Sequence, residues 1–175
     1  MRSKFTKHLL MLVFSGVLIV TLPTSALSAD NKVTYSLDES SVTGSDTDSV
    51  PDPATLKKQV FDAVNARRKS LGLPEYIWHD ALAVSANKRS MELALKFSHS
   101  RPDNSYFNTS YDNVEYTYIG ENIGYGHVNG VDMYNMWMAS PKHKALIEDK
   151  TFSHTAIGVY IAEDGTAYFV EEFLR

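Results

Sequence analysis

Tyr118-Ile119-Gly120-Glu121-Asn122-Ile123-Gly124 sets one acidic residue between glycines and apolar neighbours. No lysine or arginine occurs from Tyr106 to Val131, so nothing local neutralises Glu121. A carboxylate taken out of water is strongly unfavourable unless hydrogen bonds or an opposite charge offset it. Two readings of the stretch stand. Glu121 belongs to a strand lining a cleft, where distant side chains must answer it, or it is exposed in a glycine-rich loop. For the first reading the chain offers imidazoles on either side, in Phe97-Ser98-His99-Ser100 and in Ser140-Pro141-Lys142-His143.

Working outward, the spacing predicts a helix over 54–70. It carries Leu56, Val60, Phe61 and Val64 on one face, with Lys57, Lys58, Asp62 and Arg68 mostly opposite. Gly72 and Pro74 stop it. His79 or Asp80 caps a second helix over 81–97. Its alanines at 81, 83, 86 and 94 alternate with Leu82, Val84, Met91, Leu93 and Leu95, so burial on more than one side is expected. The polar stripe of that helix reads as Asn87, Lys88, Arg89, Glu92 and Lys96. Residues 98–129 read as irregular, with short strand candidates only, and a long loop in a compact domain usually carries function. A third helix over about 131–139 buries Tyr134, Trp137 and Met138. Ser140-Pro141 supplies the N-cap and first residue of a short fourth helix through Ile147. A hairpin closes the chain: 155–162 with Ile157, Val159 and Ile161 inward, a two-residue Asp164-Gly165 turn, then 166–173.

The length of 175 residues fits one domain with appendages. Cysteine is absent, which excludes a disulfide framework, a thiolate metal site and a cysteine nucleophile. A net charge of -4 argues against a nucleic-acid partner, which needs a clustered basic face. Residues 1–29 read as a signal peptide. Arg2, Lys4 and Lys7 precede the apolar run 9–22, and small residues follow, with cleavage after Ala26, Ser28 or Ala29. That run is short for a membrane span of about 20 residues, so a secreted, extracellular protein without a transmembrane span is expected. Residues 30–53 form an acidic, Ser/Thr-rich stretch with too little apolar surface to offset chain entropy, a disordered linker or a propeptide. The folded domain is placed at 54–175.

Several of these signals fall in one order: Asn65-Ala66-Arg67-Arg68, Trp78-His79-Asp80-Ala81-Leu82, His99-Ser100, Gly120-Glu121-Asn122-Ile123, Trp137 through His143, and Ile157-Gly158-Val159. The set resembles the CAP superfamily of cysteine-rich secretory, antigen-five and pathogenesis-related proteins, in its cysteine-free bacterial form. The resemblance implies an α+β fold, a three-layer α-β-α sandwich, with a cleft of two histidines and two acidic residues. His99 matches the first cavity histidine, Glu121 the first glutamate and His143 the second histidine, with His154 as its rival. The second family glutamate would fall at Ser140, a departure from the pattern.

Two imidazoles and a carboxylate suit a divalent transition metal, zinc above all, so His99, His143 and Glu121 are the candidate ligands. The same three are the candidates for acid-base catalysis. A structural network closed by Glu121 is the plainer alternative. No HExxH or GxSxG element is present. The resemblance also implies lipid binding, for which Tyr106, Phe107, Tyr111, Tyr116 and Tyr118 are the candidates. The leading expectation is an extracellular or cell-envelope binding module with a lipid, envelope component or protein as partner and no obligatory cofactor. The alternative is a metal-assisted hydrolase using the same cleft.

Overall fold

The computed structural model describes residues 51–112 and 114–175. The stretch read as a signal peptide and all but the end of the one read as a linker therefore lie outside the described residues. Among the described residues, no helix is long and apolar enough to cross a membrane.

Asp52 opens the fold as the N-cap of α1 (Pro53–Ser70), accepting from the amides of Ala54 at 2.8 Å and Thr55 at 3.1 Å. Leu56, Val60 and Val64 recur at helical spacing and are buried. Arg68 is buried with them rather than lying on the polar face. Its guanidinium donates to the carbonyls of Pro74, Ile147 and Asp149 at 2.7–2.9 Å and lies 3.6 Å above the Tyr76 ring. Three backbone carbonyls and an aromatic face replace its water, which is why a charge is tolerated there. Gly72 takes φ +69°, and Leu73 N–H donates back to Arg68 O, ending the helix where the sequence predicts.

Four strands follow in the order β1-β3-β4-β2: β1 (Ile77–Trp78), β2 (Ile119–Gly126), β3 (His154–Ile161) and β4 (Ala167–Leu174). β1 pairs with β3 in parallel, and the other pairs are antiparallel. The stretch read as irregular thus contains an eight-residue strand, whose glycines had hidden it. The register stacks side chains in rows across β2, β4 and β3. On one face these are Ile119–Leu174–His154, Glu121–Glu172–Ala156, Ile123–Val170–Gly158 and Tyr125–Tyr168–Tyr160. Because side chains alternate, Asn122, Glu171 and Ile157 share the opposite face.

The first face is covered by α2 (Asp80–Leu95), which buries Leu82, Ser85, Ala86, Arg89, Ser90 and Leu93. It comes so close that a side chain at Gly158 would meet the Ala86 carbonyl at 1.9 Å. Val84, Met91 and Leu95, read as core, are exposed instead, because the true buried stripe contains two serines and an arginine. The second face is covered by α1, α3 (Gly130–Ala139) and α4 (Pro141–Ile147), which pack Val60, Met133, Trp137 and Ile147 onto Ile157, Phe169 and Phe173. The fold is the expected α-β-α sandwich. Ser140 holds the N-cap position of α4 but makes no side-chain cap bond. The hairpin turn has three residues rather than two. Ala162 and Thr166 pair across Glu163-Asp164-Gly165, with Gly165 at φ +83°.

Trp137 is fully enclosed, and its indole N–H donates to the Ile123 carbonyl at 3.2 Å, satisfying an acceptor on edge strand β2. Trp137→Ala should cost about 3–5 kcal/mol in chemical denaturation, and a loss below about 1 kcal/mol would place it at the surface.

A His–Glu–Arg site under α2

The positions 82, 85, 86, 89 and 93 of α2 share one helical face, which sends Arg89 straight at the sheet. There it meets Glu121, Nε to Oε2 at 3.0 Å, with Nη2 3.5 Å from Oε1. Arg89's side chain is 0% exposed and Glu121's 1%, so each is the other's counter-charge. The remaining guanidinium donors reach Glu92 Oε2 at 2.9 Å and the Ser98 carbonyl at 2.8 Å. Glu92 in turn takes Arg101 through Nη2 at 2.6 Å and Nε at 3.1 Å. Charges alternate from the sheet outward, Glu121–Arg89–Glu92–Arg101. Burial works against the Arg89 charge, but Glu121 and Glu92 outweigh it and hold the guanidinium above its usual range. Glu92 is held below the ordinary carboxylate range: burial opposes this, and Arg101 and Arg89 outweigh it.

His99 Nδ1 lies 2.9 Å from Glu121 Oε1. An ionised carboxylate only accepts, so Nδ1 carries the hydrogen, and in the neutral ring Nε2 keeps its lone pair. His143, at the start of α4, sits close enough to His99 for the two charges to oppose each other. Its pKa is lowered, by burial first and then by His99 and Lys142. Its backbone carbonyl accepts from Asn122 Nδ2 at 3.2 Å, fastening α4 to β2. Both Glu121 oxygens are engaged by Arg89 and His99. Among the described residues, no group of three or more His, Cys, Asp or Glu side chains is arranged to hold a metal ion. His154 stands two strands from Glu121. It contacts Ser153 Oγ at 2.9 Å and packs edge-on against His79, whose Nδ1 caps α2 through Leu82 N–H.

A second acid does face Glu121, from β4 rather than from position 140. Glu172 is its register partner and is fully buried. Burial first, and then the charge of Glu121, push its pKa well above the ordinary value. Its Oε1 accepts from Ser85 Oγ at 3.0 Å, while its Oε2 and the buried Tyr111 hydroxyl have no partner among the described residues. The aromatic loop residues named above serve mainly as packing. Phe107 and Tyr111 are buried edge-to-face, Tyr116 packs on Tyr111, Tyr118 lies against Phe152, and Tyr106 stays exposed.

The profile of the CAP family, described as the cysteine-rich secretory protein family, matches residues 61–173. This chain belongs to the CAP family. The CAP chain is 24% identical over 133 residues to the membrane protein YlbC of Bacillus subtilis strain 168, covering 69% of itself and 35% of that protein. It is 28% identical over 122 residues to YkwD of the same organism, covering 66% of itself and 46% of YkwD. It therefore spans less than half the length of these curated relatives. Among solved structures, an extracellular protein containing an SCP domain from Bacillus anthracis superposes with a TM-score of 0.65 at 25% identity, over 70% of this chain and 41% of that one. The CAP assignment agrees with the layer order described above. Arg89 and Glu172 were missed from sequence. The first has a readable signal, the 82-85-86-89-93 spacing, once serine and arginine are admitted to a core face.

Proposed function

We propose that this CAP domain is an exported, envelope-associated binding module that presents two imidazoles, His99 and His143, to a divalent transition metal. The observation that carries the reading is the 2.9 Å contact between Glu121 and His99 Nδ1. It fixes the tautomer and leaves the Nε2 lone pair for a metal, the role of a carboxylate behind a metal-binding histidine. Burial, and then His99 and Lys142, lower the pKa of His143 and so favour the neutral ring that a metal needs. Glu121, anchored on Arg89, orients His99 rather than supplying a ligand itself. Imidazole nitrogens fit zinc, with water completing the coordination. The hydrolase alternative gains no observation of its own. Neither does lipid binding, since most of its candidate aromatics are packed.

Zinc titrated calorimetrically into protein carrying no affinity tag tests the reading. Wild type should bind, His99→Ala should abolish binding, and Glu121→Gln should weaken it about 10- to 100-fold. His154→Ala should leave it unchanged. No heat with wild type, or equal binding by His99→Ala, removes the proposal.

A further inference from the structure

Glu172, Ser85 and Ser110 form a buried line of oxygens that joins three elements. Glu172 is on β4, Ser85 on the inward face of α2, and Ser110 ends a single 3₁₀ turn, Phe107–Ser110. Both serines are 2% exposed and Glu172 0%, so bulk water does not compete for these hydrogens. Glu172 Oε1 lies 3.0 Å from Ser85 Oγ, Ser85 Oγ 2.5 Å from Ser110 Oγ, and Ser110 Oγ 2.6 Å from the Phe107 carbonyl oxygen. Each distance is a hydrogen-bond distance and needs one hydrogen between the oxygens. The two hydroxyls supply two, and the carbonyl supplies none. With Ser85 donating to Glu172 and Ser110 to Phe107, the shortest of the three contacts holds no hydrogen. A protonated Glu172 supplies it, donating to Ser85, which donates to Ser110, which donates to the carbonyl. Two further observations agree. The 3.0 Å contact is longer than the about 2.5–2.7 Å usual between a hydroxyl and a carboxylate. The other oxygen, Oε2, is buried without a partner among the described residues, which a charged oxygen tolerates poorly.

We infer that Glu172 holds a buried proton that latches α2 and the 3₁₀ turn onto β4, and that loss of this proton in alkali releases the turn. Burial opposes ionisation of Glu172 most, followed by Glu121 of β2. Ser85 and Arg89 of α2 work the other way, and Glu92 adds to the opposition. Beyond the turn stands Tyr111, itself kept un-ionised by burial and then by Glu172, and β3 presents the uncharged Ala156. Once ionised, Glu172 has no hydrogen to give, and two carboxylates share one register row. The closed latch keeps a proton that the open one releases, so opening becomes easier as pH rises. The turn is also tied to the segment carrying His99, by the Ser100–Tyr106 backbone bridge and by Arg101 Nη1 donating to Thr109 Oγ1 at 3.1 Å. The latch therefore sets the order of that loop whatever His99 binds.

Hydrogen exchange of the Thr109 and Tyr111 amides, which donate to the Tyr106 and Asn108 carbonyls, tests the inference. Rates are corrected for intrinsic exchange and compared with amides of α1. In wild type the opening constant of the turn should rise by up to about tenfold per pH unit above neutrality, relative to α1. In Glu172→Gln, whose amide keeps a donor for Ser85 and cannot ionise, that rise should vanish. Glu171→Gln removes the buried acid of the opposite face. Its infrared spectrum at neutral pH should retain the carbonyl band of a protonated carboxylic acid, which then belongs to Glu172. This measurement decides the matter even if Glu172→Gln fails to fold. Absence of the band in Glu171→Gln overturns the inference. So does a turn whose opening in wild type follows α1 at every pH, or a pH dependence that Glu172→Gln retains.

Discussion

Arg89→Met is expected to destabilise the protein by about 3–5 kcal/mol, because it removes the one guanidinium that answers a buried carboxylate. Glu121 is as enclosed as its partner, and methionine fills much of the same volume without charge. What is lost is therefore mainly electrostatic rather than a cavity. The same guanidinium also holds the Ser98 carbonyl, so the segment carrying His99 should loosen as well. Urea denaturation of Arg89→Met, Glu121→Gln and the double variant separates these effects. The double variant should recover most of the loss, since a neutral amide at 121 needs no counter-charge. A loss below about 1 kcal/mol in Arg89→Met would mean that Glu121 is solvated, and the site described here would not exist.

That prediction also shows where the sequence was legible. Apolar residues spaced at 56, 60 and 64 and alternating at 157, 159 and 161 announce buried faces, and both are found. The stop at Gly72 and the helix start at Pro141 lie within a residue or two of their expected places, since their chemistry is local. The isolation of Glu121 from any nearby cation pointed to an imidazole partner on either side, and the family resemblance pointed to His99. Arg68 and Arg89 could not be placed this way. A periodicity reading assigns every arginine to solvent, whereas these two are stabilised by acceptors far away in sequence, at Ile147 and Asp149 for one and at Glu121 for the other. Strand β2 was hidden for a related reason. Gly120 and Gly124 weaken its strand signal, yet they are where Phe152 and Leu146, and Met133 and Trp137, press against the backbone. The Glu121–Glu172 pairing depends on register, which no local pattern reports.

Between about pH 4.5 and pH 8 the wild-type protein should lose up to about 5 kcal/mol of stability through Glu171 alone. Glu171 is fully buried on the face opposite Glu121, and burial pushes its pKa from 4.5 up to about 8. Its nearest polar neighbours, Asn122 Nδ2 and Thr155 Oγ1, are each 3.5 Å away, too far to hold a carboxylate firmly. In this interval the native state keeps a proton that the unfolded chain has released. The unfolded state thus binds fewer protons, and unfolding becomes easier as pH rises, until the folded group also ionises near pH 8. Glu172 acts in the same direction on the other face, whereas the lowered pKa of Glu92 contributes stability that is lost only in acid. Comparing wild type with Glu171→Gln cancels those shared contributions. The variant should be less sensitive to pH over this range and should overtake wild type in stability on the alkaline side, because glutamine retains the shape and cannot ionise. If the two stability curves run parallel from pH 4.5 to 9, Glu171 is ionised in the folded protein. The Asn122–Glu171–Ile157 row must then admit water, and β4 cannot be the fully enclosed strand on which both acidic rows of this fold depend.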